Sequence, residues 1–144
     1  VLRHIYPHAD VPVLQLSLNM QARPEYHFEL GQQLAKLREK GIMIIGSGNL
    51  VHNLRRISWD PTAPAYDWAL EFDEWVKTKL ESRDIKALHS EFLKSEAGKL
   101  SNPSLDHYLP MLYAMGAGDA KEEFKFIYEE MQNASISMRS FQIG

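Results

Sequence analysis

The stretch Gly46-Ser47-Gly48-Asn49-Leu50-Val51-His52-Asn53-Leu54 follows directly on an apolar run, Ile42-Met43-Ile44-Ile45. A β-branched run closed by Gly-x-Gly reads as a buried strand ending in a loop. Glycines there let the backbone take φ > 0 or pass close to another group. Open α/β sheets bind ligands at the carboxyl ends of their strands, so His52 falls on the edge where chemistry is usually done. A lone loop histidine more often caps or packs than catalyses. His52 gains weight only with a partner, and the candidate is His107.

Upstream, Val11, Val13, Leu14, Leu16 and Leu18 form a second apolar segment, interrupted by Gln15 and Ser17, which reads as a largely buried strand. Pro12 stands near its start, where a missing N–H does least harm. Arg23-Pro24 opens a helix, proline being suited to a first turn. Tyr26, Leu30, Leu34 and Leu37 repeat at helical spacing and mark its apolar stripe. Gly41 closes the helix behind Arg38 and Lys40. Strand, helix and strand in succession predict a βαβ unit with parallel strands and a right-handed crossover.

Downstream, Asp60-Pro61-Thr62-Ala63-Pro64 forbids helix and marks a surface connection. A second amphipathic helix is expected from about Tyr66 to Ser82, with Trp68, Phe72, Trp75, Val76 and Leu80 on its core face. Ile85 to Leu93 reads as a short helix, and His89 and His27 as exposed helical residues. In Asn102-Pro103-Ser104-Leu105-Asp106-His107, Ser104 is placed to cap a helix from Leu105, with Asp106 in its first turn. Tyr108 to Met115 is apolar nearly all round and should be buried, with Pro110 tolerated in the first turns. The dipole at that helix start would keep His107 neutral, as a metal ligand must be. Phe124–Tyr128 and Ala134–Ile143 read as strands, with a turn at Asn133.

The 144 residues suffice for one domain with a real core, and 44% apolar with 24% charged residues is ordinary globular composition. A net charge of −3 gives no electrostatic footprint for nucleic acid. No apolar run approaches the roughly 20 residues needed to span a bilayer, and no secretory leader is expected. The absence of cysteine excludes disulfides and thiolate metal sites, and suits a reducing cytoplasm. Any metal would be held by nitrogen and oxygen ligands. No His-x-x-x-His motif exists, so only the fold could unite His52 and His107.

Three segments together carry a resemblance: Tyr6-Pro7-x-Ala9-Asp10-Val11-Pro12-Val13-x-Gln15-Leu16-Ser17, Gly46-Ser47-Gly48-x-x-x-His52-Asn53-Leu54, and Pro103-x-x-Asp106-His107-x-Leu109-Pro110-x-x-Tyr113-x-x-Gly116. They resemble the LigB-type extradiol ring-cleavage dioxygenases, within them the 4,5-DOPA dioxygenase branch, as does the ending Ser137-Met138-Arg139-Ser140-Phe141-Gln142-Ile143-Gly144. The resemblance runs along the whole chain and preserves motif order. It corresponds to about the C-terminal half of a family member, so residues 1–144 are expected to form the C-terminal portion of a larger single domain, a mixed, mainly parallel α/β sheet with flanking helices. The start at Val1, without methionine, fits that expectation.

The resemblance implies an extradiol dioxygenase opening a catechol ring (a DOPA-like substrate, 4,5-cleavage) with O2 at a non-haem Fe2+ or Zn2+. It implies His107 as a metal ligand and His52 as the active-site acid/base, or as a ligand itself. Two further metal histidines belong to the family's N-terminal half and have no match in Val1 to Asp10. Asn102 departs from relatives that carry histidine before the proline. The partners implied are a small aromatic diol and O2, with a homo-oligomer compatible. Two other readings stand beside this one: a zinc-dependent hydrolase on a similar sheet, and an inactive half-domain that folds without catalysis.

Overall fold

The computed structural model describes residues 2–60 and 62–144, so Pro61 of the expected surface connection and Val1 lie outside the described residues. A short helix, α1 (Leu2–Ile5), occupies a segment whose sequence suggests only irregular chain. The next, α2 (Pro24–Arg38), begins at the proline as the first-turn rule requires, with Arg23 extended before it. Beyond its end Gly41 takes φ +76°, a left-handed conformation, and its N–H donates to the Arg38 carbonyl at 3.0 Å.

The longest downstream helix, α3 (Asp67–Glu81), lies between Tyr66 and Ser82, as its periodicity predicts, and buries Phe72, Val76 and Leu80. Two short helices follow, each started by a side-chain cap. Asp84 accepts from the Ala87 N–H at the head of α4 (Ile85–Ser90). Ser95 does the same for the Gly98 N–H at α5 (Glu96–Ser101), a helix too short to carry a legible apolar stripe.

The central helix, α6 (Leu109–Ala117), is buried along nearly its whole length. Just before it, Tyr108 stacks on Phe92 with ring centroids 4.4 Å apart, and its hydroxyl donates to the Leu88 carbonyl at 2.9 Å. With Phe72, Leu80, Leu88 and Leu112 it forms the core.

Two glycines set how α2 meets α6. A Cβ on Gly31 would fall 2.5 Å from the Tyr113 carbonyl oxygen, and one on Gly116 would fall 2.2 Å from that of Phe28. The helices therefore touch backbone to backbone. The buried face of α2 is His27 and Gly31, not the expected leucine stripe, of which Leu30, Leu34 and Leu37 are half-buried and Tyr26 exposed. His27 is fully buried rather than exposed; its Nδ1 shares a 3.0 Å hydrogen bond with the Tyr113 hydroxyl. His89 is half-buried on α4.

The sheet departs most from expectation. β1 (Phe124–Tyr128) pairs antiparallel with β4 (Ser140–Ile143), placing Phe126 opposite Phe141. β2 (Met131–Gln132) pairs antiparallel with β3 (Ile136–Ser137). The predicted single strand from Ala134 to Ile143 is thus split at Met138-Arg139, and the turn before it uses Asn133 and Ala134 at φ +54° and +63°. The predicted parallel strands are not in a ladder. Val11–Leu18 and Ile42–Ile45 are joined to no strand among the described residues, and most of their side chains are exposed. Among the described residues the arrangement is mixed α/β, with antiparallel pairs and no parallel pairing.

Arg139, at the break between β3 and β4, ties the C-terminal strands to α3. Its guanidinium grips both carboxylate oxygens of Asp73, at 2.5 Å from Nη2 to Oδ2, and also meets Glu129. The Ser137 hydroxyl donates to the same Asp73 at 2.6 Å.

Candidate active site

Three pieces of backbone converge on the histidine pair. Val51–Asn53 runs between β3 and the end of α5. The Ser137 N–H donates to the Val51 carbonyl (3.0 Å), the His52 N–H to Ser101 (2.9 Å) and the Asn53 N–H to Ser135 (3.3 Å). The Asn53 side-chain amide donates to the Leu100 carbonyl at 2.6 Å. His52 consequently sits in a bridge opposite Ile136, pinned from both sides, and not on a free loop.

The Gly-x-Gly pair brings the second piece in. A Cβ at Gly46 would lie 2.4 Å from the Pro110 carbonyl oxygen, and one at Gly48 would lie 2.1 Å from that of His107. Neither glycine adopts positive φ. Of the two reasons for glycine here, close approach is the one that operates. Asn49 then links all three pieces: its N–H donates to the His107 carbonyl at 3.0 Å, and its Nδ2 donates to the Ser137 carbonyl at 2.8 Å.

His107 lies in the turn ahead of α6, two residues before the helix begins at Leu109. The Leu105 carbonyl accepts from both Tyr108 and Leu109 N–H groups. Ser104 does not cap the helix; its hydroxyl bonds the Asp106 carboxyl and holds it below the usual carboxylate range. Pro110 falls in the first turn of α6, where it costs no hydrogen bond.

The result is a face-to-face pair. The His52 and His107 rings have centroids 3.5 Å apart and planes 13° from parallel. Both are half-buried. Asp106 Oδ2 stands 3.5 Å from His107 Nε2, whereas His107 Nδ1 is buried with no hydrogen-bond partner. Burial pushes the His52 pKa below the ordinary histidine value; the neighbouring His107 adds to that shift and Asp106 partly opposes it. Two stacked imidazoles cannot both be charged at little cost. His52 is thereby held towards its uncharged form, with a lone pair available to a proton or a cation.

The fold thus unites His52 and His107, while Arg55 and Arg56 remain exposed surface. Asn102 is buried and braces the end of α5, its amide 3.4 Å from the Gly98 carbonyl. Sequence reading misses Asn49, Asn53, Ser135 and Ser137, whose work is to hold backbone. Only the asparagine inside the Gly-x-Gly stretch gives any signal of this. Among the described residues no group of three or more histidine, aspartate or glutamate side chains is placed to hold a metal, and no helix is long and apolar enough to cross a membrane.

Residues 2–140 match the family described as the catalytic LigB subunit of aromatic ring-opening dioxygenase. The chain belongs to that family. It is 44% identical over 146 residues to a 4,5-DOPA dioxygenase extradiol of Escherichia coli (strain K12), covering 100% of this chain and 54% of that one. A protein of the same description from Beta vulgaris is 34% identical over 140 residues, covering 96% of this chain and 51% of its own. A crystal structure of an uncharacterized Escherichia coli K12 protein superposes with a TM-score of 0.93 at 43% identity, over 99% of this chain and 59% of that one. The chain spans about half the length of the curated relatives it matches.

Proposed function

We propose that this chain carries the acid/base and part of the metal site of an extradiol dioxygenase, which opens the ring of a catechol of the DOPA type with O2. The observation that carries the reading is the stacked His52–His107 pair, formed from motifs distant in the chain. The family match and the relatives described as 4,5-DOPA dioxygenase extradiol support it, and nothing comparable supports a hydrolase.

The donors suit a divalent non-haem ion. An imidazole with a buried nitrogen that no protein group satisfies is an apt ligand for iron or zinc, which favour nitrogen and oxygen donors. His107 would hold the ion, and further ligands would come from outside the described residues. When bound, such an ion supplies open positions where both diol oxygens and O2 meet.

His52 does the proton work. Among the described residues its ring nitrogens engage no side-chain partner, and burial keeps the ring neutral. A neutral imidazole takes the proton of a diol hydroxyl as the ring is attacked. It returns that proton to an oxygen of the opened product, which retains both atoms of O2. Val51–Asn53, held by Ser101, Ser135 and Ser137, fixes the ring so that the transfer needs no rearrangement.

Oxygen uptake with a catechol, followed alongside the absorbance of the opened ring, tests the reading. One O2 consumed per catechol is expected. His107→Ala should lose the metal, and His52→Ala should keep it while losing at least about 100-fold in turnover, the usual worth of a general base. Normal metal content in the first variant, or wild-type turnover in the second, overturns the assignment.

A further inference from the structure

Resting on the ring-cleavage reading, we infer that Arg55 sets the substrate class. Its guanidinium selects catechols whose tail ends in a carboxylate over those whose tail ends in an amine alone.

Arg55 belongs to the same hydrogen-bonded unit as His52. Its N–H donates to Asn53 Oδ1 at 3.0 Å, and the Arg56 N–H donates to the Asn53 carbonyl at 3.1 Å, closing a turn from Asn53 to Arg56. Asn53 is itself buried and held by Leu100 and Ser135. Beyond the turn, the Ser58 N–H donates to the Asn133 carbonyl at 2.9 Å, and Asn133 Nδ2 donates to the Ser58 carbonyl at 2.8 Å. The backbone under Arg55 is thus tied on both sides. Three Cα steps from His52 to Arg55 span at most about 11 Å, and the turn brings the two closer than that.

The guanidinium is uncommitted. Arg38 is taken by Glu122, and Arg139 by Asp73 and Glu129. Arg55 is exposed, and among the described residues only its backbone N–H is hydrogen-bonded. An exposed arginine is ordinarily solvated and nothing more. This one differs in standing on fixed backbone beside the ring that moves the proton.

The other charge at the site has the opposite sign. The Asp106 side chain is 49% exposed, and its Oδ2 lies 3.5 Å from His107 Nε2. An anion there attracts an ammonium tail and repels a carboxylate. Left alone, it would favour catechols that end in an amine. A DOPA-type catechol carries both groups on its tail, so its carboxylate needs a cation to be accepted. Arginine suits that task, because its planar fork matches both carboxylate oxygens and its charge does not titrate away. The same guanidinium repels a tail that is cationic only. Selectivity then comes from attraction and repulsion together.

DOPA and dopamine share the ring and the amine and differ by the carboxylate alone. The ratio of their kcat/KM values in the metal-loaded enzyme therefore isolates that group. The wild-type ratio should favour DOPA. Arg55→Gln should lower it about 10- to 100-fold, the worth of a charge-assisted hydrogen-bonded pair, mainly through a higher KM for DOPA. Arg55→Lys should recover part of the loss, since it keeps the charge without the fork. Arg56→Gln should leave the ratio at its wild-type value. Both side chains are exposed, so none of these changes disturbs the core. A wild-type ratio near unity, a ratio that Arg55→Gln does not move, or a collapse of the ratio in Arg56→Gln each overturns the assignment. An enzyme that opens neither ring refutes the ring-cleavage reading and this one with it. An enzyme that opens both rings while Arg55 is idle refutes this one alone.

Discussion

Gly48 lies against the carbonyl oxygen of His107 so closely that the smallest side chain would stand 2.1 Å from it. The opposing group is backbone and cannot swing aside. Gly48→Ala must push the glycine loop off the head of α6, and with it the two imidazoles apart. Overpacking of this kind costs about 1–3 kcal/mol. Urea denaturation should register that loss, and cross-ring NMR contacts between His52 and His107 should weaken. A Gly48→Ala protein of unchanged stability would show that the loops adjust freely.

Asn49 makes a narrower claim. Asn49→Ala keeps its N–H bond to His107 and removes the amide donated to the Ser137 carbonyl, together with that amide's weaker 3.9 Å contact to Met138 Sδ. A single hydrogen bond of this type is worth about 1 kcal/mol. Hydrogen exchange should quicken at Ser137 and Asn53, the ladder facing the histidine strand, and stay unchanged in α3.

The Asp73–Arg139 pair is among the more shielded ion pairs, with side chains 13% and 7% exposed. Asp73→Ala strands a guanidinium in the interior with Glu129 as its remaining partner, and should destabilise the fold by about 3 kcal/mol. Exchanging both for apolar residues, Asp73→Leu with Arg139→Met, should cost less than the single change. Thermal melts of the three variants decide it; a double variant worse than Asp73→Ala would contradict the desolvation argument.

His27 makes stability depend on acidity. Its folded pKa is lowered from 6.5, chiefly by burial. Below pH 6.5 the unfolded chain takes up a proton that the folded chain resists, so stability is full above that pH and falls as pH drops towards the depressed folded value. His52, shifted in the same direction, adds to the slope. A His27→Gln variant should show a flatter decline in melting temperature from pH 7 to pH 5, and an unchanged slope would remove His27 as the cause.

Local rules carried far into this molecule. Helical periodicity placed α3 almost to the residue, and proline at a first turn placed the start of α2. Gly46 and Gly48 pointed to a tight approach, and motif resemblance paired His52 with His107. The two strands that do not pair share one cause. The apolar runs at Val11–Leu18 and Ile42–Ile45 speak for strands, but a strand needs a neighbour, and the neighbour is not in the described residues. His27 is buried against expectation because the leucine stripe of α2 suggests one face while two glycines, Gly31 and Gly116, select another. Ser135 and Ser137 leave no signal because they hold backbone across the fold, and such partners have no fixed spacing.

The bridge that holds His52 also sets a timetable. Asn53 leans on Ser135, 82 positions later in the chain. At ribosomal speeds of about 5–20 residues per second, roughly 4–16 s pass between the emergence of one and of the other. Until then the histidine segment has no strand to lie beside, so a nascent chain holds every ingredient of the pair yet cannot close it. The pair therefore closes only once Ser135 has emerged.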